Sequence, residues 1–282
     1  MPPRKGSPAE LLLKKVEAAY RNVNRYEDEG FIKRVISDEK SETVLKKSSF
    51  KNLFSRPNRF YSEERWIGED GTEVVIAMWF DGKGFFHFWD TGEKHFFELA
   101  GPGRGGISNQ TYIMLTNPTD NMSLTNQIRN PKIIPSSRNR TGLCTTIWSE
   151  FNESETWIFD IDPHDHFIRR IQKTKSWDPE AIESHNSWVQ SLGNLLDQLF
   201  FQRSGMRQAR TKFLGRVKSL AKDTKVIGKE TEVRTYESIL TNHQIPDDKF
   251  VYEPALQMEP LSMREGLSDE MLNRIREAFD NN

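Results

Sequence analysis

From Gly30 to Ala100 the chain is a train of short β-type runs cut by tight turns, and this limits the fold more than any other feature. The runs are FIKRVIS, TVLKKSSFKNLF, RFYSEERWI, EVVIAMWF, FFHFW and HFFELA. They are rich in β-branched and aromatic residues, which suit a pleated, half-buried surface. Asp70-Gly71, Asp81-Gly82 and Thr91-Gly92 stand between runs as hairpin turns, because glycine supplies positive φ. Strands joined this tightly pair with their sequence neighbours, so six of them predict an antiparallel meander.

A helix is expected ahead of the meander, from about Pro8 to Arg25. Ser7 is a natural N-cap, Pro8 suits the first turn, and Leu12, Val16, Ala19 and Val23 form one apolar stripe. After the meander, residues 101–142 are rich in Gly, Pro, Asn and Ser, with a short helix expected near 123–129. A long irregular segment of this kind often serves as a lid or binding loop. Strands return in LCTTIWSEF, ETWIFDID and HFIRRIQKTKS. A helical block is expected over 178–225, then a strand in EVRTYESILTNHQ and a final amphipathic helix over 266–280. The reading is one domain, with a core of 8–177 and 230–256 and the helical block as an insertion.

Charge is balanced, with 40 Lys+Arg against 41 Asp+Glu in 282 residues. No global field draws the chain to nucleic acid or to a membrane surface, and nucleic acid is not expected as a partner. No apolar run is long enough to span a bilayer, so no transmembrane segment is expected. The N-terminus has early positive charge but no apolar core, and reads as lacking a signal peptide, so the expectation is either a cytoplasmic protein or one whose leader is absent from this sequence. The single Cys144 excludes an intramolecular disulfide. A monomer is expected.

The order of the motifs resembles the LolA-like superfamily, and more closely its cell-envelope relatives. The matching pieces are SRPNRFYSE, MWFDGKGFFHFW, WIFDIDPHDHFIRRI and YESILTNHQIPDDKFVYEPA, set behind a starting helix. They span roughly residues 8–175 and 232–255. The helical block 178–225 departs from the pattern. The resemblance implies an α+β fold: a strongly curved antiparallel β-sheet, an incomplete barrel, covered by helices. It also implies a non-enzymatic carrier or sensor in the periplasm or cell envelope. The ligand would be a lipid, a lipoprotein acyl chain or another apolar molecule, with an envelope protein as a further partner.

Met78–Phe97, MWFDGKGFFHFWDTGEKHFF, holds eight Phe and Trp residues, so both faces of this hairpin are partly aromatic. Alternation puts Phe86 and Phe88 on one face of their strand and Phe85, His87 and Trp89 on the other. The bland reading is ordinary core; the functional one is a cavity lined by Trp66, Met78, Phe80, Phe86, Phe88 and Phe97. Arg59, with Arg56 and Arg65, is a candidate for a polar ligand head. Eight basic residues and one acid lie in 203–225. Arg207, Arg210 and Arg216 there are candidates for anionic headgroups or an acidic partner. The alternative function is a protein-interaction module that uses these basic helices over a packed interior.

The cluster DIDPHDH (Asp160, Asp162, His164, Asp165, His166) holds metal-ligating residue types. Its spacing matches neither a calcium loop nor a helical zinc pair, and a hairpin turn accounts for it. Cys144 reads as a buried structural residue, and GPGRGG as a loop without the Lys-Ser/Thr of a phosphate-binding motif. No catalytic residue, metal or cofactor is assigned.

Overall fold

The computed structural model describes residues 6–37, 42–57, 59–68, 71–90, 94–99, 110–116, 123–135, 138–139, 142–177 and 228–262. Helix α1 (Pro8–Arg21) opens the chain. Ser7 and Glu10 form a reciprocal cap: the Glu10 N–H donates to Ser7 Oγ at 3.2 Å and the Ser7 N–H to Glu10 Oε2 at 2.7 Å. The buried stripe is Ala9, Leu13, Val16 and Tyr20, with Leu12 and Ala19 at its margin. The helix stops earlier than expected because an arginine from the meander caps it. Arg56 donates to the carbonyls of Arg21 (2.6 Å), Val23 (2.9 Å) and Leu115 (3.0 Å).

The meander is β1 (Arg25–Ser37), β2 (Glu42–Ser55), β3 (Arg59–Ile67), β4 (Glu73–Phe80), β5 (Phe85–Asp90) and β6 (Lys94–Leu99). Two short helices follow, α2 (Gln110–Leu115) and α3 (Leu124–Gln127), then β7 (Arg129–Ile134) and a small hairpin of β8 (Arg138–Asn139) and β9 (Gly142–Leu143). The stretch 101–142 thus contains a strand that its Gly- and Pro-rich composition hides. Next come β10 (Thr145–Asn152), β11 (Glu155–Ile161), β12 (Ile168–Trp177) and β13 (Gly228–Thr241). Tight 3-10 turns at Asp247–Phe250 and Glu253–Gln257 lead to β14 (Leu261–Ser262).

Twelve strands form one sheet in the order β14-β6-β5-β4-β3-β2-β1-β13-β12-β11-β10-β7. Every neighbouring pair is antiparallel except β14 with β6. Among the described residues the sheet is open, ending at β14 and β7. Trp177 and Gly228 are cross-strand partners, so 178–227 links two adjacent strands. The helices expected over 178–225 and 266–280 lie outside the described residues. The topology is the one the resemblance implies: helix first, then a long antiparallel sheet left open at both edges.

One apolar cluster joins the buried side of α1 to Tyr26, Phe50 and Phe54 at one end and to Ile147, Trp157 and Phe159 at the other. The sheet therefore curves around α1. We call the side of the sheet that α1 covers the helix face. At its centre a buried polar ladder crosses three strands. Tyr26 Oη donates to Asp28 Oδ2 (2.8 Å), Asn52 Nδ2 to Asp28 Oδ1 (2.6 Å), and Ser62 Oγ to Asn52 Oδ1 (2.7 Å). Burial raises the Asp28 carboxyl from 3.8 to about 7, against the pull of its Asn52 and Tyr26 hydrogen bonds and the Arg234 charge.

A raised native pKa favours the fold while the carboxyl is protonated, and that stability is lost as pH climbs from about 4 through about 7. At about 1.4 kcal/mol per pKa unit the loss approaches about 4 kcal/mol above pH 7. Asp28→Asn keeps the shape and removes the charge. Thermal melts from pH 5 to pH 8.5 are expected to show the variant gaining several degrees on the wild type as pH rises. A constant difference across that range would contradict the assignment.

Candidate ligand-binding face

The register divides the aromatic strip between two faces. Ile76 pairs with Trp89, Met78 with His87, and Phe80 with Phe85. Through Phe60 and Phe54 this set runs on to Tyr26, which places it on the helix face. Ala77 pairs with Phe88 and Trp79 with Phe86, on the reverse face.

The reverse face of β2–β6 is closed. Leu53, Tyr61, Val75, Ala77, Trp79, Phe88 and Phe96 are buried there under Ile245, Phe250, Tyr252 and Ala255. Phe86 stacks on Trp79 at 5.4 Å between ring centres, and Phe88 lies 4.7 Å from the Tyr252 ring.

The helix face of the same strands is different. Trp66, Ile76, Met78, Phe80, Phe85, His87 and Trp89 are all only half-buried. Phe80 and Phe85 stack at 4.4 Å. His87 Nε2 accepts the Trp89 indole N–H, and burial pushes the imidazole down to about 4. His87 is thus neutral near pH 7 and adds to an apolar wall.

Trp66, Met78 and Phe80 therefore share the half-open face, whereas Phe86 and Phe88 belong to the closed one, a correction to the grouping expected from sequence. Phe97 pairs with His87 through β6, and its side chain lies outside the described residues. Ile76, Phe85, His87 and Trp89 complete the surface. Their signal was the β5 alternation, but choosing the face needs the parity of the turn. Asp81–Gly84 is a four-residue connection, with Asp81 Oδ1 accepting the Lys83 and Gly84 N–H groups. One residue more or fewer would exchange the two faces.

The three arginines have intramolecular partners. Arg56 caps the ends of α1 and α2. Arg59 is ion-paired with Asp247 of the first 3-10 turn. Arg65 binds Glu63 (2.5 Å) and approaches Glu73 (3.5 Å). Arg207, Arg210 and Arg216 lie outside the described residues. In DIDPHDH, Asp160 is buried and accepts from Thr146 (2.7 Å) and Arg170 (3.2 Å). Asp162 and Asp165 accept backbone N–H groups within the turn, and Arg169 bridges both. These carboxylates stitch a hairpin. Cys144 is buried.

Toward the β1–β2 and β3–β4 turns the helix face becomes charged. Lys46 pairs with Glu64 at 2.6 Å and lies 3.4 Å above the Trp66 ring. Arg34 pairs with Glu232 at 2.6 Å. Burial pushes Glu64 upward, but the Lys46 ammonium and the Ser48 hydroxyl hold it below its ordinary value.

No family model matches the chain, and no curated protein matches it. Among solved structures it is similar to LprF from Mycobacterium bovis (9% identity, 60% of this chain and 87% of that one, TM-score 0.35). It is similar to a DUF1329 family protein from Desulfovibrio piger (5% identity, 88% and 99%, TM-score 0.32). It is also similar to the LolA superfamily protein NE2245 from Nitrosomonas europaea (9% identity, 88% and 100%, TM-score 0.30). Scores this low describe loose superpositions and assign no function.

The two faces predict unequal mutational costs. Phe88→Ala opens a cavity in a sealed layer and is expected to cost about 3–5 kcal/mol. Met78→Ala removes a half-exposed side chain and is expected to cost about 1 kcal/mol or less. Urea unfolding of both variants checks this; equal losses would mean that Met78 is core.

Proposed function

We propose that the protein binds a lipid, a lipoprotein acyl chain or a similar apolar molecule on the half-open helix face of β3–β5, without catalysing a reaction. The observation that supports this most is the asymmetry of one set of strands: sealed behind by residues 245–258, apolar and half-open in front. A surface made of Trp66, Ile76, Met78, Phe80, Phe85 and Trp89 gains roughly 25 cal/mol for each Å² of apolar area taken from water. Binding would be governed by shape and burial, and release by transfer to a better acceptor. In keeping with the resemblance in its motifs, we place this role, as carrier or sensor, in the cell envelope.

Native mass spectrometry of gently purified protein, with organic extraction, is the direct test. A stoichiometric lipid is expected, or uptake of added fluorescent fatty acid. A charge set into the apolar wall by Met78→Asp should weaken uptake about tenfold or more. Phe31→Asp, at a residue 52% exposed on the reverse face, should leave it unchanged. A clean apo mass together with no uptake would overturn the proposal.

A further inference from the structure

A row of charge crosses the helix face beside the apolar wall. Lys173 of β12 pairs across strands with Glu232 of β13, Glu232 with Arg34 of β1, and Arg34 with Lys46 of β2. Arg234 stands one step along, above the Phe50 ring at 5.0 Å. Four cations thus meet three carboxyl groups: Glu232 and Glu64, each of which already holds a cation at 2.6 Å, and the buried Asp28, which feels the Arg234 charge. The next row outward, Glu155, Lys175 and Glu230, adds two acids and one base, so the sum is positive while Asp28 is protonated and balanced once it ionises.

Arg34 and Lys46 are like charges directly opposite each other, and Glu232 and Glu64 offset that pair. Lys173 is the feature that is costly unless an anion is present. Lys173 has no carboxylate within ion-pair distance among the described residues; its Nζ lies 4.3 Å over the Trp157 ring. Burial draws the Lys173 ammonium below its ordinary pKa, partly offset by Glu232. A solvated surface lysine would not carry that penalty. The row also abuts the apolar wall, since Lys46 rests on Trp66.

We infer that this row is an anion site centred on Lys173, which takes the carboxylate or phosphate head of an amphiphile whose apolar part lies against Trp66 and the open face of β3–β5. The inference rests on the apolar-ligand reading and adds the ligand's charge and orientation. Glu232 and Glu64 hold Arg34 and Lys46 in place, and Lys173 supplies the free donor.

The test compares dodecyl phosphate, dodecanol and inorganic phosphate on the full chain by calorimetry, below micelle-forming concentrations and at low salt. A charge-assisted contact should make dodecyl phosphate bind about tenfold or more tightly than dodecanol. Lys173→Gln should abolish that preference and leave dodecanol unchanged, and Lys173→Arg should retain it. Circular dichroism confirms that each variant is folded. Equal binding of the two dodecyl probes, or a preference that survives Lys173→Gln, would overturn the anion site and leave the apolar face standing. Failure of both dodecyl probes would overturn the apolar face as well. Tight inorganic phosphate binding without any gain from the dodecyl chain, lost in Lys173→Gln, would mark a free-anion site and overturn the amphiphile.

Discussion

The fold depends on β1 being paired along both edges. On one edge it meets β2, its neighbour in sequence; on the other it meets β13, roughly two hundred residues away. This long-range pairing joins the two halves of the sheet, β2–β6 and β13–β7, and so creates the surface that α1 fills. Its register has one irregularity, between Glu29 and Gly30. There the β13 backbone comes so close that a Cβ on Gly30 would lie 1.9 Å from the Thr235 carbonyl oxygen. Glycine is required by that contact. The bulge also brings Tyr236 onto the helix face, where its hydroxyl meets Thr111 of α2 at 2.9 Å. Closing such a contact carries a loop entropy that only extensive pairing offsets, and β1 is paired with β13 along nearly its whole length.

From that junction the two halves of the sheet take different roles. The β10–β13 half joins β1, β2 and the helices in the main apolar cluster. The β3–β6 half is covered on its reverse side by the C-terminal segment, whose Phe250, Tyr252 and Ala255 are buried against it. With one side sealed, its aromatic content must show on the other. The half-open wall is thus a consequence of where the chain's last described segment docks. The same docking explains Arg59, which meets Asp247 and is held away from the wall.

Much of this was legible in residue patterns. The six runs between tight turns became β1–β6 in order, because alternation and turn chemistry are local. The Ser7–Glu10 cap began α1 where expected. The last helical turn was not legible, since Arg56 terminates α1 from elsewhere in the fold. Phe86 and Phe88 were grouped with Met78 because composition cannot resolve the parity of a Gly-rich turn. Strand β7 was hidden by Asn130 and Pro131, residues that edge strands tolerate. The charged row has no signature in the sequence, because its members sit on four strands from three regions of the chain and only strand pairing makes them neighbours.

The most direct measurement is photo-crosslinking of the full-length protein with a diazirine-bearing fatty acid, followed by peptide mapping. Saturable labelling is expected at Trp66, Met78, Phe80, Phe85 and Trp89, with Trp79 and Phe88 protected beneath residues 245–258. Labelling confined to the reverse face, or labelling that excess unlabelled fatty acid does not suppress, would contradict it.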